Sequence, residues 1–530
     1  MMMLSYLPRN TCYTFGAHRL PGRLVLQSTA AINVKPHEKE KIAKAKPFSQ
    51  MPGPKLYPII GSLWTFIKNN GYYQKRPHLL HTKYCQKYGP IFRDKIVNVD
   101  MIFVSTPEDF ATVFKAEGKY PDRGPIWPWV VYREQRKKSK GVLIGKGEEW
   151  RKSRSVMDKK LLKMKDVSAY SERMNRVISN LILYIKRKQI EDNLNGELGN
   201  LQDSLYKWSF ETINSVLFSK LLGAFNEPPT PIAEKFYKNV CSMMNVTGQL
   251  ILMPPYYKYI KTKQWKEYCG YWDTLFEIGG QLIDEERNRL LSRGFDLSSK
   301  LENSRMTEDM EFLPYVLSRG ELNDEEIAGN IIELMLGGVD TSANTIMWVL
   351  YILGKNPNIQ EKLYKEVSSV LKDGQFPDSH SVQKMPYLRG VIKESQRLYP
   401  VLLATARILS QDVVLSGYHV PAKTRVTTMM FLLSRNESIF EEAIKVKPER
   451  WIRSSPSSQR QRNPFSFIPF GFGPRMCIGR RIAELEMELL IARLISEFRI
   501  NCRNEEEVGV TYRLVASPDR DIRIAFEERN

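Results

Sequence analysis

Residues 327–353 contain neither Lys nor Arg, and a helix of that length without a cation cannot be a solvated surface element. Asn323, followed three residues later by Glu326, reads as an N-terminal capping box. The pattern stays helical to Gly354, with Pro357 beyond it as a stop. About thirty residues at 1.5 Å each make a rod of roughly 45 Å, enough to cross a large domain. Lipid is one place for such a rod, but Asn330, Glu333, Asp340 and Asn344 lie within it and are costly there. The stretch therefore predicts a buried central helix with a large, mostly helical domain built around it.

The middle of that helix is Gly337-Gly338-Val339-Asp340-Thr341-Ser342. Paired glycines followed by an acid and two hydroxyls are poor helix formers, and a local rule broken in mid-helix points to function. The plain alternative is a glycine notch for packing.

A second stretch, 470–479, sets Cys477 among Gly471, Gly473 and Gly479 beside Arg475. Gly471 and Gly473 allow a tight turn that brings main chain against a planar ligand, and Arg475 offers a fixed cation for an acidic group on it. After Gly479 the positions Ile482, Leu485, Leu489, Leu490 and Leu494 have helical spacing, which puts Cys477 at a helix N-terminus. There the dipole is expected to lower the thiol pKa towards the metal-binding thiolate. An isolated cysteine more often packs as a small hydrophobe. Here five positions (Phe470, Gly473, Arg475, Cys477, Gly479) are specified together.

On these residues the chain resembles the cytochrome P-450 superfamily, the haem-thiolate monooxygenases, whose haem signature is Phe-x-x-Gly-x-Arg-x-Cys-x-Gly. Three more motifs match in order. Trp150-x-x-x-Arg154 resembles the pair on the helix over the haem. The stretch 337–342 resembles the oxygen-activation motif, and Glu394-x-x-Arg397 with Arg450 resembles the internal Glu–Arg–Arg cluster. The resemblance implies a mainly α fold with a small β region, one large helical domain around haem b (iron protoporphyrin IX) with a cysteine thiolate axial ligand. It implies Cys477 as that ligand and metal site, Phe470, Gly479, Trp150, Arg154, Arg407 and Arg475 as cofactor contacts, and Asp340 and Thr341 as proton carriers to bound dioxygen. Glu394, Arg397 and Arg450 are implied to be structural. Ser434-Arg435-Asn436 departs from the family's usual His-Arg-Asp, away from the chemistry.

Residues 1–37 carry Arg9, Arg19, Arg23 and Lys35 with hydroxyl residues and no acid, as mitochondrial presequences do; a disordered basic tail is the alternative. We expect residues 1–45 to be presequence and linker and residues 46–530 to be the monooxygenase domain, entered through the prolines of 47–58. Residues 120–140 read as a loop, which the resemblance implies covers the substrate pocket, and 166–320 as several helices without evident chemistry. Residues 133–165 hold thirteen Lys or Arg against four Asp or Glu, either a solvated face or a docking surface. Six scattered cysteines form no paired framework. The formal charge of +20 calls for an acidic partner or surface, with no nucleic-acid module to suggest DNA or RNA.

Within the superfamily the chain looks like a member of the mitochondrial clan, most similar to insect enzymes. That implies the matrix side of the inner membrane, peripheral membrane association, and electrons from an adrenodoxin-type ferredoxin served by an NADPH-ferredoxin reductase. Arg389, Lys393, Arg480 and Arg481 are the cations expected to dock the ferredoxin. The substrate expected is an apolar xenobiotic, with a steroid of ecdysteroid type as alternative; a non-enzymatic haem-thiolate sensor is the rival from another class.

Overall fold

The computed structural model describes residues 36–529 other than 59, 69, 70, 97, 98, 193, 252, 296–309, 373 and 453–462. The expected presequence lies outside these apart from residues 36–45, which include a helix, Pro36–Lys44.

The central helix is Asp324–Lys355, continuous through its glycine pair. Its capping box is formed in both directions. Asn323 Oδ1 accepts from the Glu326 amide at 2.9 Å, and Glu326 Oε2 accepts from the Asn323 amide at 2.8 Å. Nearly every residue from Ile327 to Leu353 is buried, because the helices Leu201–Leu217 and Lys263–Ser292 and the strand β7 (Phe498–Cys502) pack around it. Its end is held close: a side chain at Gly354 would meet the Cys502 amide at 2.6 Å. Among the described residues no helix is long and apolar enough to cross a membrane.

The β region is small, as expected. A four-stranded sheet has the order β1-β2-β6-β3, from β1 Ile91–Ile96, β2 Val99–Val104, β6 Arg425–Thr428 and β3 Thr405–Ile408. β2 and β6 run parallel, pairing Met101 with Arg425 and Val104 with Thr428. Three two-stranded units complete it: β4 (Val413–Leu415) with β5 (Tyr418–Val420), β7 with β10 (Ile524–Glu528), and β8 (Val510–Arg513) with β9 (Val515–Pro518). The β4–β5 hairpin turns through Ser416 and Gly417, both at positive φ, as a two-residue hairpin loop requires.

The structure corrects one expectation and adds detail to another. The segment 120–140 is not all loop, since it contains the helix Trp127–Arg136. Pro128 sits in that helix's first turn, where no amide hydrogen is needed, so it starts the helix rather than breaking it. The basic run 133–165 is in part paired with acids on other elements. Arg136 pairs with Asp273 (2.7 Å), Lys138 with Glu325 (3.2 Å), Lys146 with Asp122 (2.8 Å) and Lys152 with Glu326 (2.8 Å). Two of these four pairs, those of Lys138 and Lys152, tie the region to the central helix, and the other exposed cations leave a charged, solvated face.

Candidate functional site: a thiol, an arginine cluster and an open helix face

The loop 470–479 closes on itself, the Cys477 amide donating to Phe470 O at 2.8 Å. Gly471 and Gly473 have φ of 73° and 76°, the left-handed region that favours glycine. A side chain at Gly473 would collide with the Glu117 carboxylate. The following helix, Arg480–Glu497, starts with Gly479 at its N-cap. The expected lowering of the Cys477 thiol is outweighed: burial pushes it up, while the Gly479 amide and the Arg123 and Arg154 charges pull it down by less. A coordinated metal ion removes that proton outright.

Around the loop lie four guanidinium groups. Arg475 donates to the carbonyls of Pro121 (3.0 Å), Val142 (3.3 Å), Leu143 (3.4 Å) and Gly145 (2.5 Å). Its guanidinium stacks 4.2 Å from the Trp150 ring. Arg154, one turn after Trp150 on the helix Gly147–Leu161, donates to Met476 O at 2.8 Å and pairs with Asp158 at 2.6 Å. Arg123 donates to Arg475 O, and Arg407 of β3 pairs with Glu117. Three buried cations and the half-buried Arg123 thus surround two contacting carboxylates, Glu117 and Asp158, with Asp122 and Glu333 acting on Arg475 from farther off. Burial first, then mutual repulsion with Arg407, pushes Arg123 down to about 9 and Arg475 to about 10. The Arg123 Nε and the Trp150 indole N–H have no hydrogen-bond partner among the described residues. Such a site, with surplus positive charge and unspent donors, fits a dianionic ligand.

In the central helix the two glycines have different surroundings. A side chain at Gly338 would meet Ile213 at 2.9 Å, so this glycine is a packing notch. At Gly337, apart from its own helix backbone, no atom of the described residues lies within 4 Å of where a Cβ would stand. Thr341 is on the same face one turn on and is only partly covered, its hydroxyl donating to Gly337 O at 2.7 Å. Asp340 points elsewhere. Its carboxylate accepts from the Tyr206 hydroxyl and from Asn344 Nδ2 at 3.1 Å. Burial raises the Asp340 carboxyl, and burial beside that carboxylate holds the Tyr206 phenol well above its ordinary value. Ser342 on a third face donates to Glu486 of the Arg480–Glu497 helix.

The predicted Glu–Arg–Arg residues meet in the interior. Glu394 accepts from Arg397 Nε (3.0 Å) and Nη2 (2.7 Å), Arg450 Nε (3.2 Å), the Lys447 amide (2.9 Å) and Trp451 Nε1 (2.9 Å). Arg389, Lys393, Arg480 and Arg481 line one groove of about 750 Å³ that also includes Phe470 and Trp451. The groove holds two acids that sequence reading overlooked. Glu484 pairs with Arg480 at 2.9 Å, and burial pushes Glu488 up to about 7.

Arg123, Glu117 and Tyr206 also escaped the sequence reading. Each is a single residue in an otherwise ordinary stretch, brought to the site by packing alone, so no local pattern marks it.

A partly exposed thiol in a glycine turn, donors for a dianion and a helix face open at Gly337 and Thr341 are what a haem-thiolate site requires, and these residues fit that group. Residues 51–526 match the family Cytochrome P450, and the chain belongs to it. The chain is 34% identical to the mouse 1,25-dihydroxyvitamin D(3) 24-hydroxylase, mitochondrial, over 482 residues, which is 90% of this chain and 89% of the relative. It is 32% identical to the golden hamster (Mesocricetus auratus) cholesterol side-chain cleavage enzyme, mitochondrial, over 478 residues, covering 90% and 89%. It is 31% identical to Cytochrome P450 10 of the snail Lymnaea stagnalis over 490 residues, covering 92% and 87%. It is therefore a cytochrome P450 monooxygenase of the mitochondrial clan that carries haem b with a cysteine thiolate ligand.

Proposed function

We propose that this enzyme hydroxylates a sterol-type or vitamin D-type substrate in mitochondria, with electrons from an adrenodoxin-type ferredoxin and its NADPH-dependent reductase. The observation that carries the haem site is the convergence on the Cys477 loop of four guanidiniums, three of them buried, with only Glu117 and Asp158 in direct contact as counter-charges. For the substrate, the names of relatives aligned over nine-tenths of the chain favour the steroid alternative over a xenobiotic. The finer likeness to insect members rests on the sequence resemblance; the relatives named above are molluscan and mammalian.

When bound, the haem supplies dioxygen activation and insertion of one oxygen atom into a C–H bond, at a cost of two electrons and two protons. Cys477 ligates the iron. Arg123, Arg154, Arg407 and Arg475 with Trp150 would hold the haem carboxylates, and Phe470 and Gly479 would shape the Cys477 loop. The Thr341 hydroxyl, on the open helix face, holds a proton at Oγ1 and passes it toward the reacting oxygen. Asp340, the second proton carrier that the resemblance implies, is turned from Thr341 and tied to Tyr206 and Asn344, so it can serve as a reserve only when those bonds are released. A passive sensor has no use for such a relay. Glu394, Arg397 and Arg450 brace the fold beneath the groove where Arg389, Lys393, Arg480 and Arg481 receive the ferredoxin. The exposed side chains of Leu56, Tyr57, Trp64, Tyr259 and Ile260 suit peripheral attachment to the inner membrane on its matrix side, after the leader within residues 1–45 has directed import of the domain 46–530.

A panel of sterols, vitamin D analogues and xenobiotics, scored by shifts of the haem absorption spectrum, tests the substrate class. Sterol-type compounds are expected to shift it at the lowest concentrations; a response to xenobiotics alone overturns the reading. Arg389→Glu with Lys393→Glu is expected to raise the ferredoxin concentration for half-maximal turnover at low salt, where opposite charges attract over about 10 Å. No change there removes the groove as the docking site.

A further inference from the structure

The helix Trp127–Arg136 delivers Arg133 into the interior at 1% exposure. Its guanidinium lies 4.4 Å from the Trp272 ring and 4.3 Å from that of Phe276, with none of its nitrogens in a hydrogen bond. Its counter-charge is Glu333 of the central helix, 3.7 Å away and fully buried. A pair at that distance in the interior gains less than it would at contact, so its worth lies in what else it holds.

Glu333 Oε2 accepts from the Leu143 amide at 2.5 Å. The segment 141–145 is a tight turn, the Gly145 amide donating to Gly141 O at 2.8 Å. It lies so close to the central helix that a side chain at Gly141 would collide with the Glu333 carboxylate and with Gly329 O. The outward carbonyls of the same turn, at Val142, Leu143 and Gly145, are three of the four acceptors of Arg475. Arg475 is two residues before Cys477. A continuous chain of contacts thus runs from Arg133 through Glu333 and the turn to the arginine beside the thiol. Burial raises the Glu333 carboxyl, and Arg133 is the largest influence opposing it.

We propose that Glu333, kept in place by Arg133, is a positioning residue for the haem site: it sets the 141–145 turn, whose carbonyls aim Arg475 at the haem carboxylate. The inference rests on the reading of Arg475 as a haem anchor. A group that orients a metal-site ligand from behind typically costs about 10- to 100-fold in affinity when lost.

The test uses the haem-loaded enzyme and measures transfer of haem to excess apomyoglobin, the midpoint potential of the haem iron, and the melting temperature. Glu333→Leu removes the acceptor of the Leu143 amide and is expected to speed haem transfer at least about tenfold and to shift the potential. Glu333→Gln keeps an acceptor for that amide but leaves Arg133 without a counter-charge. It is expected to lower the melting temperature while haem transfer and potential stay near wild type. If the glutamine variant loses haem as fast as the leucine variant, release follows stability alone and the proposal fails. Should Glu333→Leu not load haem, Gly141→Ala displaces the same turn and must speed transfer; unchanged transfer there also refutes it. Arg475→Leu separates the two levels. If it leaves haem transfer unchanged, the anchor reading itself is wrong; if it speeds transfer and Glu333→Leu does not, only the positioning role falls.

Discussion

Replacing Glu394 exposes how much of this fold hangs on one carboxylate. Five donors converge on it at 2.7 to 3.2 Å, from Arg397, Arg450, Trp451 and the Lys447 amide, and its side chain has no exposure to solvent. Glu394→Ala strands all five. A buried donor without a partner costs about 1–3 kcal/mol, though such terms do not simply add. Removing one member of a buried ion pair costs about 3–5 kcal/mol because the other charge is left behind. With two guanidiniums left behind, we expect the upper end, about 5 kcal/mol, against a total stability of about 5–15 kcal/mol. Arg450→Met should cost about half as much, since it removes one 3.2 Å bond to Glu394 and one 2.9 Å bond to Glu442 O. The assay is the half-life of the native enzyme at fixed temperature together with the urea midpoint, because a large cofactor protein unfolds irreversibly and not in two states. Glu394→Gln within about 1 kcal/mol of wild type at unchanged urea dependence would refute the reasoning.

Thr341→Ala should leave haem and substrate binding intact while reduced oxygen escapes as peroxide, since the hydroxyl acts on the step after binding; unchanged product per electron consumed would remove Thr341 from the relay. Cys477→His should retain some haem and lose the thiolate's electron push, so a carbon monoxide difference spectrum still of thiolate type would exclude Cys477 as ligand. Glu486, buried against Ser342, has its carboxyl pushed up to about 8 from 4.5. The folded protein thus holds a proton that the unfolded chain has released, and stability falls as pH rises from about 4.5 to 8, by up to about 1.4 kcal/mol per pH unit. Glu486→Gln should flatten that slope in pH-resolved denaturation, and an unaltered slope would assign it to other groups. Residues 1–45 should carry a fluorescent reporter into mitochondria, and a reporter found on the endoplasmic reticulum would overturn the leader.

What was legible in the sequence was local. Asn323 and Glu326 are three residues apart and cap each other, and Gly471, Gly473, Arg475 and Cys477 share one turn, so spacing alone reports their geometry. Thr341 and Gly337 are one helical turn apart and face the same way. The partners supplied by tertiary packing left no such trace. Asp340 is adjacent to Thr341 in the chain, yet its carboxylate is taken by Tyr206, on another helix. The basic run read as one surface because its counter-ions, Asp273, Glu325 and Glu326, are more than a hundred residues away. Pro128 suggested a loop because a proline in the first turn of a helix and one that ends a helix look alike until the helix start is known.

The parallel pairing of β2 with β6 has a consequence for how the molecule comes into being. Met101 meets Arg425, so the β1–β2 hairpin leaves the ribosome, or emerges from an import pore, long before the strand that covers its edge. Until β6 arrives, that edge is an open template for pairing with other chains, and contacts this far apart in sequence form slowly. A chain cut anywhere between them keeps the bare edge for good. Fragments lacking the last quarter of the chain should therefore aggregate through residues 99–104 rather than fold.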